Sequence, residues 1–197
     1  MRPIFALAAL LATFSSLFAA QVRAGDLSDE SGTGWQLERD VDAPTYAFIE
    51  PTYTDLAIDV LVLSCEQSGQ QVGLQLRLYP LEPGPLRTAH GQRVELSSAA
   101  EFDIDGRRLK VSLLFADASV VVADATDGPV PLLSASLIAA LQTGRQLTMK
   151  LQPVKSSTPA RLGPGLEIVA NLQTGLGGTA VSTLRHCGVR NDVVAAL

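Results

Sequence analysis

The sequence predicts a mainly β protein, an antiparallel β-sandwich or curled sheet with two short helices. Three observations lead to this fold class. Apolar and polar residues alternate over several short stretches, an Asp-Gly pair marks a hairpin, and only two stretches show helical spacing. Neither an internal repeat nor a composition shift divides the chain. Residues 35–197 are therefore predicted to form a single β-rich domain.

Residues 56–65 are predicted to form the central strand, because apolar residues occupy both of its alternating faces. Residues 71–79 alternate between Leu or Val and other residues, which is typical of a half-buried strand. A turn at 66–70 makes an antiparallel hairpin the expected pairing. Prolines within residues 80–85 end the second strand, because proline has no N–H to donate to a neighbour.

The clearest turn signal is Asp105-Gly106, a pair that favours a type I′ hairpin between residues 102–104 and 109–115. Shorter strands are predicted at 35–39, 94–96, 119–123, 146–154 and 166–172.

Helical spacing predicts one helix over residues 131–142, with Ser134 as its N-cap and Gly144 just past its end. A second, shorter helix is predicted to begin at Gly177-Gly178. Its apolar face would carry Ala180, Val181, Leu184 and Cys187.

The first 24 residues predict a signal peptide. Arg2 precedes an apolar run over residues 4–18, and the small residues Val22 and Ala24 suit a cleavage site after Ala24. The run of about 15 residues is short for a membrane helix, which needs about 20. An uncleaved N-terminal anchor is the alternative. We expect a periplasmic or secreted mature chain with a flexible lead-in over residues 25–34.

The charge of the mature chain excludes polyanionic partners. Loss of Arg2 and Arg23 with the signal leaves 13 basic against 20 acidic residues, a formal charge of −7 instead of −5. Nucleic-acid binding depends on basic residues that neutralise phosphates, and anionic membranes are held by polybasic segments. Neither pattern is present. We therefore expect no nucleic acid partner and no stable membrane insertion after cleavage.

Cys65 and Cys187 are the only cysteines. In an exported protein, an even count of two predicts a disulfide. Their bond would close a loop of about 120 residues and stabilise the fold by up to about 4.7 kcal/mol in the chain-entropy model. A redox pair or a zinc site is the alternative, but Cys-x-x-Cys spacing and further zinc ligands are missing.

Catalytic signals are few. His90 and His186 are the only histidines, and both are predicted to be solvated. Ser64 and Ser182 lack the sequence context of known serine nucleophiles. Asp59 interrupts the central strand and is expected to face an edge or pair with arginine, a functional carboxylate being the alternative.

Asp103 and Asp105 resemble the start of a calcium loop, but Leu114 stands where such a loop needs Glu. The Asp-Gly hairpin explains both residues without a metal. Arg107 and Arg108 are expected at its solvated tip. No metal and no cofactor are predicted.

A partner-binding surface is the remaining candidate site. It would use Trp35, Tyr46 and Tyr53, which with Phe48 form an aromatic group near the mature N-terminus, together with Tyr79 and Leu81 beside the proline-rich loop. Core packing of the aromatic group and an ordinary crossover at residues 80–85 are the alternatives.

The order of these landmarks resembles that of small periplasmic β-sandwich proteins of proteobacteria. The landmarks of this chain are Trp35, a strand ending at Cys65, the Asp-Gly hairpin, a helix ending at Gly144, and a last helix over residues 178–187. Examples are the invasion-associated locus B family and the periplasmic accessory proteins of type VI secretion. The resemblance covers most of the mature chain by spacing, and this chain departs from it in having two cysteines. It implies a non-enzymatic envelope role and assigns no binding residue.

Two hypotheses for function follow. The first is an exported, non-enzymatic interaction module that binds a protein or another envelope component. The second is a small envelope hydrolase acting on glycan or peptide, which would require Asp59, Glu66, His90 or His186 to converge in one pocket.

Overall fold

A computed structural model describes residues 34–38, 41–68, 71–116, 118–125, 130–154 and 165–184. The predicted signal peptide lies outside these residues, as do His186 and Cys187. The strands are β1 (Gln36–Leu37), β2 (Tyr46–Ile49), β3 (Tyr53–Thr54), β4 (Ile58–Ser68), β5 (Gln71–Pro80), β6 (Leu96–Ile104), β7 (Arg107–Ala116), β8 (Ser119–Ala123), β9 (Gln146–Pro153) and β10 (Leu166–Asn171). The helices are α1 (Ala135–Thr143) and α2 (Gly178–Leu184).

The described strands form one curled antiparallel sheet, which confirms the predicted mainly β class. Its strand order is β1-β2-β4-β5-β8-β7-β6-β9-β10-β3. The curl has a local cause in the segment that contains β2 and β3. β2 pairs with β4 and β3 pairs with β10, although only residues 50–52 separate them. One short segment therefore brings strands from the two ends of the sheet order close together.

The predicted β4–β5 hairpin is confirmed, with Leu63 opposite Leu76 at its centre. Leu61 and Leu63 on β4 are fully buried on the inner face of the sheet. On the opposite face, Val60 and Val62 are only half-buried. The prediction of burial on both sides thus holds for one face, because the helices cover only the inner side of the sheet.

The β6–β7 hairpin has the predicted type I′ turn, with φ of 52° at Asp105 and 86° at Gly106. The Asp103 carboxylate accepts a hydrogen bond from the Gly106 N–H at 2.8 Å. Asp105 accepts bonds from the N–H groups of Arg145 (2.8 Å) and Gln146 (3.2 Å). The hairpin tip is thereby fastened to the connection between α1 and β9.

Both predicted helices are confirmed, and they cover the inner face of the sheet. The side chain of Ser134 accepts a hydrogen bond from the Leu137 N–H, as predicted for an N-cap. Buried residues of α1 and α2 belong to the same core as the inner faces of the strands; they are Leu137, Ala140, Leu141, Ala180, Val181 and Leu184. Full burial of one such leucine contributes about 1.5–3 kcal/mol. The two helices contact each other, and α2 also contacts β2 and β4.

Cys65, one half of the predicted disulfide, lies beside the end of α2. Its Sγ is 3.6 Å from the carbonyl oxygen of Leu184, the last residue of α2 and three positions before Cys187. The described residues include no free cysteine. Because Cys187 lies outside those residues, the pairing itself stays a prediction.

The folded region begins earlier than predicted. Gly34, assigned from sequence to the flexible lead-in, is buried against Thr174. Its neighbour Trp35 bridges Gly175 in parallel, and the Trp35 carbonyl accepts a hydrogen bond from the Leu176 N–H at 2.9 Å.

Candidate interaction surface

The outer face of the sheet carries a mainly apolar row across five neighbouring strands. Register aligns Phe48 on β2 with Val62 on β4, then Arg77 on β5, Val121 on β8 and Leu114 on β7. Four strand spacings give this row a width of about 19 Å. Only its central member, Arg77, is polar.

Further apolar side chains lie beside this row on the same face. Tyr46 is two residues from Phe48 on β2, and their rings are 6.5 Å apart. Val60 is paired with Tyr79 next to the row. We call this surface the outer apolar patch; its members are Tyr46, Phe48, Val60, Val62, Tyr79, Leu114 and Val121. Tyr46 is 37% exposed and Leu114 45% exposed, so the patch reaches solvent.

Polar side chains next to the patch satisfy Arg77. Its guanidinium donates to Gln75 Oε1 at 2.6 Å and to Glu66 Oε1 at 3.1 Å. Ser64 donates to the same carboxylate oxygen at 3.0 Å. The Gln75 amide, 2% exposed, donates to the Pro131 carbonyl oxygen at 2.7 Å. The cation within the apolar row is thus neutralised locally, and it does not make the patch a charged site.

The other half of the same outer face is charged. Register places Lys110, Glu101, Lys150 and Glu167 side by side on β7, β6, β9 and β10. Arg108 approaches Glu101 at 3.8 Å, and Lys150 approaches Asp103 at 3.7 Å. Alternating opposite charges on neighbouring strands are typical of a sheet face in contact with water. The outer apolar patch therefore differs sharply from the rest of its own surface.

The predicted proline-rich loop borders the patch. Leu81 follows Tyr79 by two residues and is 67% exposed. One cleft, of about 180 Å³, lies against Leu81, Pro85 and Arg87. A second, of about 140 Å³, lies between Pro85 and Phe115, which is 51% exposed. Both clefts are smaller than the roughly 300–1,000 Å³ of typical small-molecule sites.

The predicted aromatic group does not exist as one cluster. Trp35 is 1% exposed and lies in the core, in agreement with the packing alternative, so it offers no surface to a partner. Its Nε1 is buried and has no hydrogen-bond partner among the described residues. Tyr53 lies on β3, which pairs with β10 in the charged half of the sheet. Tyr46 and Phe48 remain together in the patch.

Tyr53 lies on β3, the last strand in the sheet order, and has a structural role there. Its hydroxyl donates to Asp55 Oδ1 at 2.5 Å. Asp55 Oδ2 accepts the Glu167 N–H at 2.9 Å, so the carboxylate joins the tyrosine to β10. This hydrogen bond, together with the negative charge of Asp55, raises the pKa of Tyr53 above its ordinary value.

The residues considered for catalysis lie apart where the structure describes them. Asp59 is exposed at a bulge of β4, and Glu66 is seven residues further along the same strand. At about 3.3 Å per residue, this places them roughly 23 Å apart. His90 is exposed in the loop after Ala89. None of the three lines the clefts described above.

The hydroxyl groups considered as nucleophiles have structural contacts. Ser64 donates to Glu66, and Ser182 donates to the Thr179 carbonyl oxygen within α2. Within the described ranges, no group of three or more His, Cys, Asp or Glu residues is arranged to hold a metal ion. Neither described helix has the length and apolar character needed to cross a membrane.

Leu114, 45% exposed, is a surface residue that the sequence does not single out. The signal was present as a run in which apolar residues occupy both alternating faces, at 113–115. The same pattern at 120–122 belongs to a strand that is buried throughout, where Val121 is 8% exposed. Such runs are typical of strands covered on both sides, as β8 is and β7 is not.

Comparison of this chain with protein-family models, curated proteins and solved structures finds no match. The resemblance to periplasmic β-sandwich proteins therefore stays a prediction.

Proposed function

We propose that this chain is an exported, non-enzymatic interaction module that binds another protein through the outer apolar patch. The difference between the two halves of the outer face carries the proposal. β6, β9 and β10 present alternating charges to water, whereas β2, β4 and β5 present aromatic and β-branched side chains, and β7 presents Leu114, on the same face. An apolar half of an otherwise charged face is suited to burial against a partner.

The shape and chemistry of the patch favour a protein as the occupant. A row about 19 Å wide on the outer face of the sheet matches the apolar centre of a protein interface. Tyr and Arg are enriched among residues that dominate binding energy, and Tyr46, Tyr79 and Arg77 supply them here. The Arg77–Glu66 ion pair provides polar groups that a partner can contact beside the apolar side chains.

Site-specific photo-crosslinking in the source cells tests this proposal. A photoreactive residue replaces Tyr46 or Leu114, near opposite ends of the patch, and Lys110 or Gln152 in matched control variants. We expect both patch positions to crosslink to the same polypeptide, identified by mass spectrometry, and the control positions to give little of that product. Equal yields from patch and control positions, or crosslinks only to a second copy of this chain, would contradict the proposal.

A further inference from the structure

A polar cleft lies on the molecule away from the outer apolar patch. Its volume is about 530 Å³, and its lining residues are Thr52, Asp105, Arg145, Gln146, Asn171 and Gln173. They come from the β2–β3 connection, the β6–β7 turn, the start of β9 and the end of β10. Four separate parts of the fold thus bring only polar side chains to one place.

The backbone fastens these side chains in position. Asp105 is held by the N–H groups of Arg145 and Gln146, as described above. Asn171 Oδ1 accepts the Gln173 N–H at 3.0 Å, and Gln173 Nε2 donates to the Gly144 carbonyl oxygen at 2.7 Å. Thr52 donates to the Val169 carbonyl oxygen at 3.2 Å.

Each amide is anchored through only one of its two polar atoms. Among the described residues, Asn171 Nδ2 and Gln173 Oε1 make no hydrogen bond, which leaves a donor and an acceptor for a ligand. The Arg145 side chain is 82% exposed and approaches Asp105 at 3.9 Å, so its remaining N–H groups are accessible. Since Asp105 and Arg145 carry opposite charges, the cleft is formally neutral.

We propose that this cleft binds a neutral saccharide. Neighbouring hydroxyl groups of a sugar ring each donate and accept, and they match planar amide and guanidinium groups that present donors and acceptors side by side. The cleft offers no apolar side chain to hold the side chains of a peptide. Its volume falls within the range of roughly 300–1,000 Å³ that is typical of ligand sites.

Asn171→Asp is the most informative variant, because it retains the Oδ1 acceptor that holds the Gln173 N–H and replaces the free Nδ2 donor with an oxygen. The probes are the trisaccharide of N-acetylglucosamine and maltotriose, with triglycine as a polar control of similar size. Nitrogen-15 NMR spectra of the mature chain are recorded with each probe at about 10 mM, enough to occupy most of a site with a Kd of about 1 mM.

We expect at least one trisaccharide to shift the signals of Gln146, Asn171 and Gln173, and Asn171→Asp to weaken its binding about tenfold. The control variant Lys110→Gln, elsewhere on the outer face, should bind the sugar as the wild type does. Absence of shifts with both trisaccharides, equal shifts with triglycine, or unchanged affinity in Asn171→Asp would overturn the proposal. Because the outer apolar patch is a separate surface, these results do not depend on the proposed protein partner.

Discussion

Single carboxylates hold the loops of this protein against its sheet. Asp105 fastens the β6–β7 turn to the connection after α1, and Asp55 joins β3 to the backbone of Glu167. Asp124 accepts hydrogen bonds from both the N–H and the hydroxyl of Ser134 at the start of α1. Hydrogen bonds to charged acceptors contribute more than neutral ones, about 1.5–3 kcal/mol each. Several acidic residues of this chain therefore have structural roles.

Tyr53→Phe tests one of these contacts through its pH dependence. The pKa of Tyr53 is raised in the folded state, mainly by its hydrogen bond to Asp55. The stabilisation is therefore fully present below the unfolded pKa of about 10 and is lost as pH rises through the higher folded pKa. We expect wild type to exceed the variant in urea stability at pH 7, and the difference to shrink above pH 10.

Tyr46→Phe is the matched control, because no hydrogen bond of the Tyr46 hydroxyl is found within the described part of the chain. The effect of Tyr46→Phe on urea stability at pH 7 should be small, because the substitution removes no such hydrogen bond. A wild-type advantage over Tyr53→Phe that stays constant or grows at high pH would contradict the assigned contact.

Gly144→Ala should destabilise the end of α1. A Cβ at this position would lie 2.3 Å from Ile104 Cγ2 and 2.7 Å from the Ala140 carbonyl oxygen. Overpacking of this kind costs about 1–3 kcal/mol, which equilibrium urea unfolding would detect. Gly165→Ala is the control, because among the described residues its Cβ would meet only the Leu151 carbonyl oxygen, at an ordinary 3.7 Å. Equal stability of the two variants would refute the proposed crowding.

At the scale of elements, the sequence predicts the turns and helix caps whose conformation depends only on neighbouring residues. Asp105-Gly106 can adopt the positive φ angles of a type I′ turn, and Ser134 can cap a helix, whatever the rest of the chain does. β2 and β3 have no comparable signal, because each is short and pairs with a strand that is not its neighbour in sequence; β3 in particular pairs with β10, far along the chain. Gly144 was placed correctly, but the close approach of Ile104 explains it better than a left-handed cap would.

The predicted Cys65–Cys187 bond would join β4 to the chain that follows α2. Removing a native disulfide typically costs 2–5 kcal/mol, so we expect a loss of about that size for Cys187→Ser in urea unfolding under non-reducing conditions. Cys65→Ser and the double variant should lose nearly the same amount, because one bond can be lost only once. Additive losses, or quantitative alkylation of both thiols in the unreduced protein, would contradict the bond.

For the whole molecule, the fold class was predictable from sequence and the outline of the site was not. Of the five residues predicted for the partner surface, Tyr46, Tyr79 and Leu81 lie on or beside one surface, whereas Trp35 is in the core and Tyr53 lies in the charged half of the sheet. The relation of the first three to Leu114 and Val121 depends on the order of strands, which pairs β5 with β8 and not with its sequence neighbour β6. Alternation along one strand contains no information about this order.

The predicted export concerns the whole chain. We expect the intact mass of the protein recovered from the periplasm or medium to match a chain that begins at Gly25, because the small residues Val22 and Ala24 precede that bond. A mass that includes residues 1–18 would show that the N-terminal segment is retained as an anchor.

The affinity of the crosslinked partner for defined surface variants tests the proposed function most directly. Calorimetry with both purified proteins compares wild type with Tyr46→Lys combined with Leu114→Lys, two exposed changes that leave the core intact. We expect the double variant to bind about 100-fold more weakly, since charges would replace apolar contacts in a buried interface. The control Lys110→Gln, in the charged half, should bind within about threefold of wild type. Unchanged affinity in the patch variant would contradict binding through the outer apolar patch. A loss of affinity in the control that equals or exceeds the loss in the patch variant would contradict it as well.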